Sequence, residues 1–202
     1  MSRIPATERR AALAQAAMAV IARDGVAAAT TRAIVAEAGM PLASFHYAVA
    51  SRDELLSDVI ELVVEGEGSV TLASLDIDAP DLRSAVRATF GAYLDLVRSD
   101  PGREQAMFEL TQYALRTPEL ADLPAAQYRS YHALAADLLE AGASLLHIEW
   151  SIPVPDLARL LVTLTDGLTL AWLADRDDAA AERSIEHAAD AISAFAREAV
   201  AA

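Results

Sequence analysis

Residues 29–56 read ATTRAIVAEAGMPLASFHYAVASRDELL, and most of the architecture follows from them. Two short apolar-periodic runs flank Ala38-Gly39-Met40. Thr30 or Thr31 can cap the first run, whose apolar positions are Ile34, Val35 and Ala38. Gly39 lets the chain turn tightly, and Pro41 can open the next helix at its first turn. A third helix over 42–48 follows. Ser51 then caps a fourth, with Glu54 three residues on in capping-box spacing. Capped helix, tight turn and short helix in that order make a helix-turn-helix. Ala36 and Ala38 are small where the two helices cross, and Ile34 and Phe45 can reach a shared core. In such a unit the second helix lies in the DNA major groove, its N-terminal residues nearest the base edges.

Upstream, Leu13, Ala16, Ala17, Val20 and Ile21 recur at helical spacing, which predicts a first helix from an N-cap at Thr7 to about Asp24, stopped by Gly25. Downstream, the fourth helix runs through Leu55, Leu56, Val59, Ile60, Leu62 and Val63 and fades near Gly66 and Gly68. The stretch SLDIDAPD at 74–81 reads as a loop and as the boundary between modules. Five longer helices are expected near 81–99, 102–115, 121–143, 155–175 and 178–200, separated by proline-containing turns. Helix formers dominate and strand-type alternation is nearly absent. The expected fold is therefore all-α, with about nine helices. It divides into 1–52, continued by a connecting helix over about 52–73, and 74–202.

Charge divides the chain in the same place. The 202 residues carry a net charge of −14, and every basic residue is arginine. Residues 1–52 hold Arg3, Arg9, Arg10, Arg23, Arg32 and Arg52 against Glu8, Asp24 and Glu37, a net of +3. The other 150 residues therefore carry −17. A basic front on an acidic body suits a small module that touches a polyanion while the body is repelled by it. Arg3, Arg9 and Arg10 are expected to follow the DNA backbone or enter the minor groove, and Arg32 to meet a phosphate. Leu42, Ser44 and Tyr47 fall on the exposed side of the third helix, towards bases or phosphates, and Pro41 just ahead of them is a further DNA-contact candidate. His46 is a surface or phosphate-facing residue. Thr30 and Thr31 serve as cap alone, or as cap and phosphate contact together.

With no cysteine there is no disulfide framework, thiolate metal site or thiol nucleophile. No metal-ligand or cofactor motif occurs. His132, His147, Glu109 and Asp166 are the only conceivable acid–base residues, and their spacing matches no catalytic pattern. A non-enzymatic role is expected. No uninterrupted run of 18 apolar residues occurs, and the charged N-terminus lacks the order of a signal peptide. A cytoplasmic protein without a membrane partner is expected.

The segment from Arg9 to Leu56 resembles the TetR family of one-component transcriptional repressors. The shared features are Ala16-Ala17, Gly25 with Thr30 five residues on, Ile34, Ala38-Gly39, the aromatic-bearing third helix and Ser51-Arg52-Asp53-Glu54-Leu55. They cover the front quarter of the chain. His46, Ala48 and Val49 stand where the family carries Tyr, His or Tyr, and Phe. Arg52 stands at the usual lysine and keeps a phosphate contact; Tyr47 can supply the missing hydroxyl. The resemblance implies a homodimeric repressor on a double-stranded, near-palindromic operator, released by a small-molecule effector.

Two features of the rear module bear on that implication. Polar and aromatic residues gather between 90 and 150, and Phe90, Tyr93, Met107, Phe108, Gln112, Tyr113, Tyr131 and His132, with Trp172, are candidates to line an effector pocket. The alternative for each is an ordinary core or interface position. The last two helices carry Leu157, Leu161, Leu164, Leu168, Ile185, Ala188, Ile192 and Phe195. These are expected in a dimer interface that forms a four-helix bundle with the partner, or else in the chain's own core. A ligand-binding or interaction protein that has lost specific DNA binding is the competing function.

Overall fold

The computed structural model describes residues 5–73 and 79–198. Nine α-helices occur among them: α1 (Ala6–Asp24), α2 (Thr31–Glu37), α3 (Leu42–Ala48), α4 (Arg52–Ala73), α5 (Leu82–Ser99), α6 (Pro101–Ala114), α7 (Leu123–Leu146), α8 (Val154–Asp175) and α9 (Asp178–Ser193). Short 3-10 turns stand at Val26–Ala28 and Pro118–Leu120. Two strands, β1 (Ile148–Trp150) and β2 (Ala196–Glu198), pair antiparallel with Glu149 opposite Arg197. The all-α class holds. The small differences are local. The first helix starts at Ala6 behind Pro5, so Thr7 lies inside it rather than capping it. The last helix stops at Ser193, and the chain beyond it extends to pair with β1.

The chain falls into two compact units, Met1–Gly66 with Asp100–Gln127, and Glu67–Ser99 with Tyr128–Ala202. Sequence division at 74 and spatial division are thus different things, because α6 belongs to the first unit. Of the expected boundary loop, residues 74–78 lie outside the described residues.

In the first unit, α1 packs against α2, α3 and α6. Leu13, Ala17, Val20, Ile34, Phe45, Val49, Leu55 and Leu56 are buried together with Met107 and Leu110 of α6. Val49 is part of this core, 4% exposed. The helix ends are capped as their residues demand. Thr30 Oγ1 accepts from the Ala33 N–H at 3.2 Å. Ser51 Oγ accepts from the Glu54 N–H at 3.0 Å, and Glu54 Oε2 from the Ala50 N–H at 2.7 Å.

In the second unit, α5 and α8 pack against α9 around Phe90, Leu94, Leu157, Trp172, Ile185 and Ile192. Outside that core Arg83 bonds Glu186 (2.7 Å) and Asp190 (2.5 Å), Arg87 bonds Glu186, and Arg98 reaches Asp178 (2.9 Å). This ladder staples α5 to α9. By length and composition α8 is apolar enough to cross a membrane, although Asp156, Arg159 and Asp166 interrupt its apolar stretches; only 28% of its apolar span is buried within the chain.

Candidate functional site

Packing aims α3. Phe45 is 1% exposed and anchors its inner side. A helix with one side buried presents the opposite side to solvent. There stand Leu42 (44% exposed), His46 and Tyr47 (78% exposed). Gly39, at φ 63°, makes the turn that sets α3 against α2. A groove of about 630 Å³ runs between the start of α1 and α3, lined by Pro5, Ala6, Arg9, Pro41, Ala43, Ser44 and Tyr47. Arg9, Pro41, Ser44 and Tyr47, four of the residues expected to meet DNA, thus share one concave surface. Thr31 and Arg32 open α2, Thr31 half-buried and Arg32 exposed. The Thr30 hydroxyl, though accepting from Ala33, can still donate outward. Arg3 lies outside the described residues.

Two arginines expected to face phosphate have carboxylate, carbonyl or hydroxyl partners inside the unit. Arg10 makes a bidentate pair with Asp58, at 2.6 and 2.7 Å, and a further bond with Glu54 at 2.7 Å. It ties α1 to α4. The Ala50 N–H, with Arg10 behind it, holds the Glu54 carboxyl below the usual carboxylate range. Arg52 donates to the Val26 and Ala29 carbonyls, at 2.6 and 2.7 Å, and to the Tyr113 hydroxyl at 3.0 Å. Neither partner set was visible in the sequence, since a charge count does not show where a guanidinium points. Arg23 is likewise paired, with Asp24 and Glu37 at 2.9 Å each.

The effector candidates are split between the units. Met107, Phe108, Gln112 and Tyr113 belong to the first. There Met107 is core, Gln112 is exposed, and Tyr113 bonds Arg52. Phe90, Tyr93, Tyr131, His132 and Trp172 belong to the second. Phe90 is core. Trp172 is committed to the α8–α9 corner, where its Nε1 donates to Asp178 at 2.9 Å and Arg176 lies 4.4 Å over its ring.

Tyr93, Tyr131 and His132 stand near a polar cluster that sequence reasoning missed as a site. Tyr128 donates to Asp166 Oδ2 at 2.8 Å. Tyr131 meets the Tyr128 ring edge-on at 5.9 Å, and His132 lies 6.1 Å from the same ring. Thr169 Oγ1 is 3.3 Å from the Tyr93 hydroxyl. Burial pushes the Asp166 carboxyl up, against the Tyr128 bond and the His132 charge, which pull it down. Burial, then the bond and charge of Asp166, push the Tyr128 hydroxyl up to about 12. The available signal was one acid inside the apolar run VTLTDGLTLAW.

Of the dimer candidates, Leu157, Leu168, Ile185, Ala188 and Ile192 are already buried within the single chain. Leu161, Leu164 and Phe195 are half-buried. Apolar spacing identifies a face that packs; it does not identify whose core the face joins. The side of α8 left exposed carries Thr163, Gly167, Leu170 (57% exposed), Ala171 and Ala174.

A helix-turn-helix with its second helix presented beside an arginine-bearing groove defines a DNA-binding regulator. Residues 13–59 match the family model for bacterial regulatory proteins of the tetR family, and residues 82–197 match that for the C-terminal part of BetI-type transcriptional repressors. The chain is 31% identical over 180 residues to the nicotine-responsive transcriptional repressor HdnoR of Paenarthrobacter nicotinovorans, covering 87% of this chain and 89% of that one. A solved TetR-family regulator from Rhodococcus sp. superposes with a TM-score of 0.76 at 20% identity, covering 94% of this chain and 98% of that one. The multidrug binding protein EbrR complexed with ethidium gives 0.67 at 25% identity, covering 93% and 98%. The chain belongs to the TetR family and is a ligand-responsive, DNA-binding transcriptional repressor.

Proposed function

We propose that the protein is a homodimeric repressor that grips a near-palindromic operator through α3 and lets go when a small organic molecule occupies its second unit. The observation that carries it is the opposition of Phe45 and Tyr47. One is sealed in the core, and two residues on the other stands 78% exposed beside Ser44 and Arg9. Tyr47, Ser44 and Leu42 read or steady the base edges, while Arg9, Arg32 and the Thr30 hydroxyl hold phosphates. A regulator of this kind works in the compartment that holds the DNA, the cytoplasm.

The exposed side of α8 supports the dimer. A second copy seated there covers Leu170, Ala171 and Ala174, and small residues allow close approach of two helices. A dimer brings two α3 helices to the DNA, one for each half-site. One similar protein is a nicotine-responsive repressor and another a multidrug binding protein solved with ethidium, which supports a small organic effector. It acts by binding the non-gripping conformer more tightly, and shifts the equilibrium only by that difference. Within the first unit, α6 holds the turn before α2 through Glu109, which accepts from the Val26 N–H at 2.9 Å, and through Tyr113 on Arg52. A displaced α6 therefore acts on the grip.

Selection from a pool of random duplexes tests this reading. The expected product is an inverted repeat with half-site centres about 10–10.5 bp, or a multiple, apart. Sedimentation without detergent should show a dimer. An unenriched pool, or a monomer bound to single half-sites, contradicts it.

A further inference from the structure

Asp166 is an expensive residue. It sits in the apolar helix α8, with a carboxyl pushed up by burial. A carboxylate offers about four acceptor positions. Among the described residues one hydrogen bond fills them, from Tyr128. The arginines of the same unit that reach carboxylates are spent elsewhere. Arg83, Arg87 and Arg98 pair with Glu186, Asp190, Asp178, Glu182 and Asp95. A half-buried carboxylate with no arginine paired to it among the described residues, and only the His132 ring as a titratable base nearby, costs stability, and a bound positive charge offsets that cost.

The rings around it have the matching chemistry. Tyr128 and Tyr131 stand at 82° to one another, edge to face rather than in a flat stack, beside the carboxylate that Tyr128 bonds. The His132 ring is tilted 57° against Tyr128. Aromatic faces carry partial negative charge and attract a cation held within about 6 Å. A carboxylate beside such faces discriminates by charge. An anion is repelled, and a neutral molecule leaves the carboxylate uncompensated.

We infer that Asp166, Tyr128, Tyr131 and His132 form the recognition site for an organic cation, and that the effector belongs to this class. The assignment to the effector rests on the proposed ligand-released repressor; the cation site itself does not. Its test is therefore direct binding to the full-length protein by calorimetry, without DNA.

The probes are phenyltrimethylammonium, its neutral isostere tert-butylbenzene, and the anion benzenesulfonate. The cation is expected to bind, with the other two at least about tenfold weaker. Asp166→Asn keeps the shape and can keep the Tyr128 bond, and is expected to weaken the cation at least about tenfold without lowering the melting temperature. Tyr131→Leu keeps the charge and is expected to weaken it several-fold. The site is overturned if the parent protein binds none of the probes at about millimolar concentration. Equal binding of cation and isostere, or an unweakened D166N variant, overturns it as well. A mobility shift with the selected operator is run separately. If the cation binds as stated but no operator is found, the repressor reading fails and the site stands.

Discussion

The guanidinium of Arg52 lies 5.2 Å over the ring of Tyr113 and donates to its hydroxyl at 3.0 Å, which joins the first turn of α4 to the last turn of α6. The same side chain donates to the carbonyls of Val26 and Ala29, just ahead of α2. A residue in the stretch that marks the DNA-binding domain is therefore an internal bracket. Its flat fork suits three acceptors in a way an ammonium does not. Arg52→Ala is expected to lower the unfolding free energy by about 2–3 kcal/mol, because charged hydrogen bonds to carbonyls are lost. Tyr113→Phe, which loses one bond and keeps the ring, should cost about 1 kcal/mol. Urea denaturation of the two variants checks the order.

The two sides of α3 should respond oppositely to truncation. Phe45→Ala empties a core position and is expected to cost about 3–5 kcal/mol of stability. Tyr47→Ala, at a position 78% exposed, should leave stability within about 0.5 kcal/mol. It should nevertheless weaken operator binding by about 1–3 kcal/mol. Thermal melts beside mobility shifts separate the effects. A Tyr47→Ala protein that binds the operator as tightly as the parent removes Tyr47 from the interface.

This contrast also shows what was legible beforehand. The helix-turn-helix is local: caps, Gly39, Pro41 and the spacing of Ile34 and Phe45 lie within a few turns of one another, so chain order reveals them. The partners of Arg10 and Arg52 are not legible in chain order, because Asp58, the Val26 carbonyl and Tyr113 are 48, 26 and 61 residues away. Leu157, Ile185 and Ile192 show the same limit in apolar form. Their periodicity announces a packed face, and only the fold reveals that the face is filled from within the chain. The end of α9 was overrun because alanine-rich sequence favours helix, whereas pairing with β1 is a tertiary event. Asp166 stands in the sequence only as a conceivable acid–base residue, because its aromatic neighbours come from α7.

Two glycines with positive φ should differ in cost. At Gly39 a Cβ meets nothing within 4 Å, so Gly39→Ala pays only for the left-handed backbone, about 1–2 kcal/mol. At Gly25, with φ 85° and ψ 164°, a Cβ would stand 3.1 Å from Glu109 Oε1, the atom that accepts from Val26. That backbone region is essentially glycine's alone. Gly25→Ala is therefore expected to be the more destabilising, by about 1 kcal/mol or more. Denaturation midpoints of the two variants decide this.

Acid should loosen the α5–α9 staple. Arg87 and Arg83 hold the Glu186 carboxyl below its usual range, and Arg83 does so for Asp190. Trp172, with Arg98, does so for Asp178. Depressed folded-state values mean that the unfolded chain takes up protons first. The stabilisation is complete above the ordinary carboxylate range, about pH 4, and is lost as pH falls through it to the depressed values. The pairs are exposed, so high salt should reproduce part of the loss at neutral pH. Melting curves across pH and salt test both, and a Glu186→Gln variant should show a shallower acid dependence.

Specific DNA binding is the centre of the account. The most direct measurement is a mobility shift of the purified protein on DNA from upstream of its own gene, with random duplex as competitor and salt titrated. The account predicts binding that survives competitor, weakens steeply with salt as phosphate contacts exchange for counterions, and fails in Tyr47→Ala. Folded protein that never prefers one duplex over the competitor, even over fragments selected from its own genome, contradicts it.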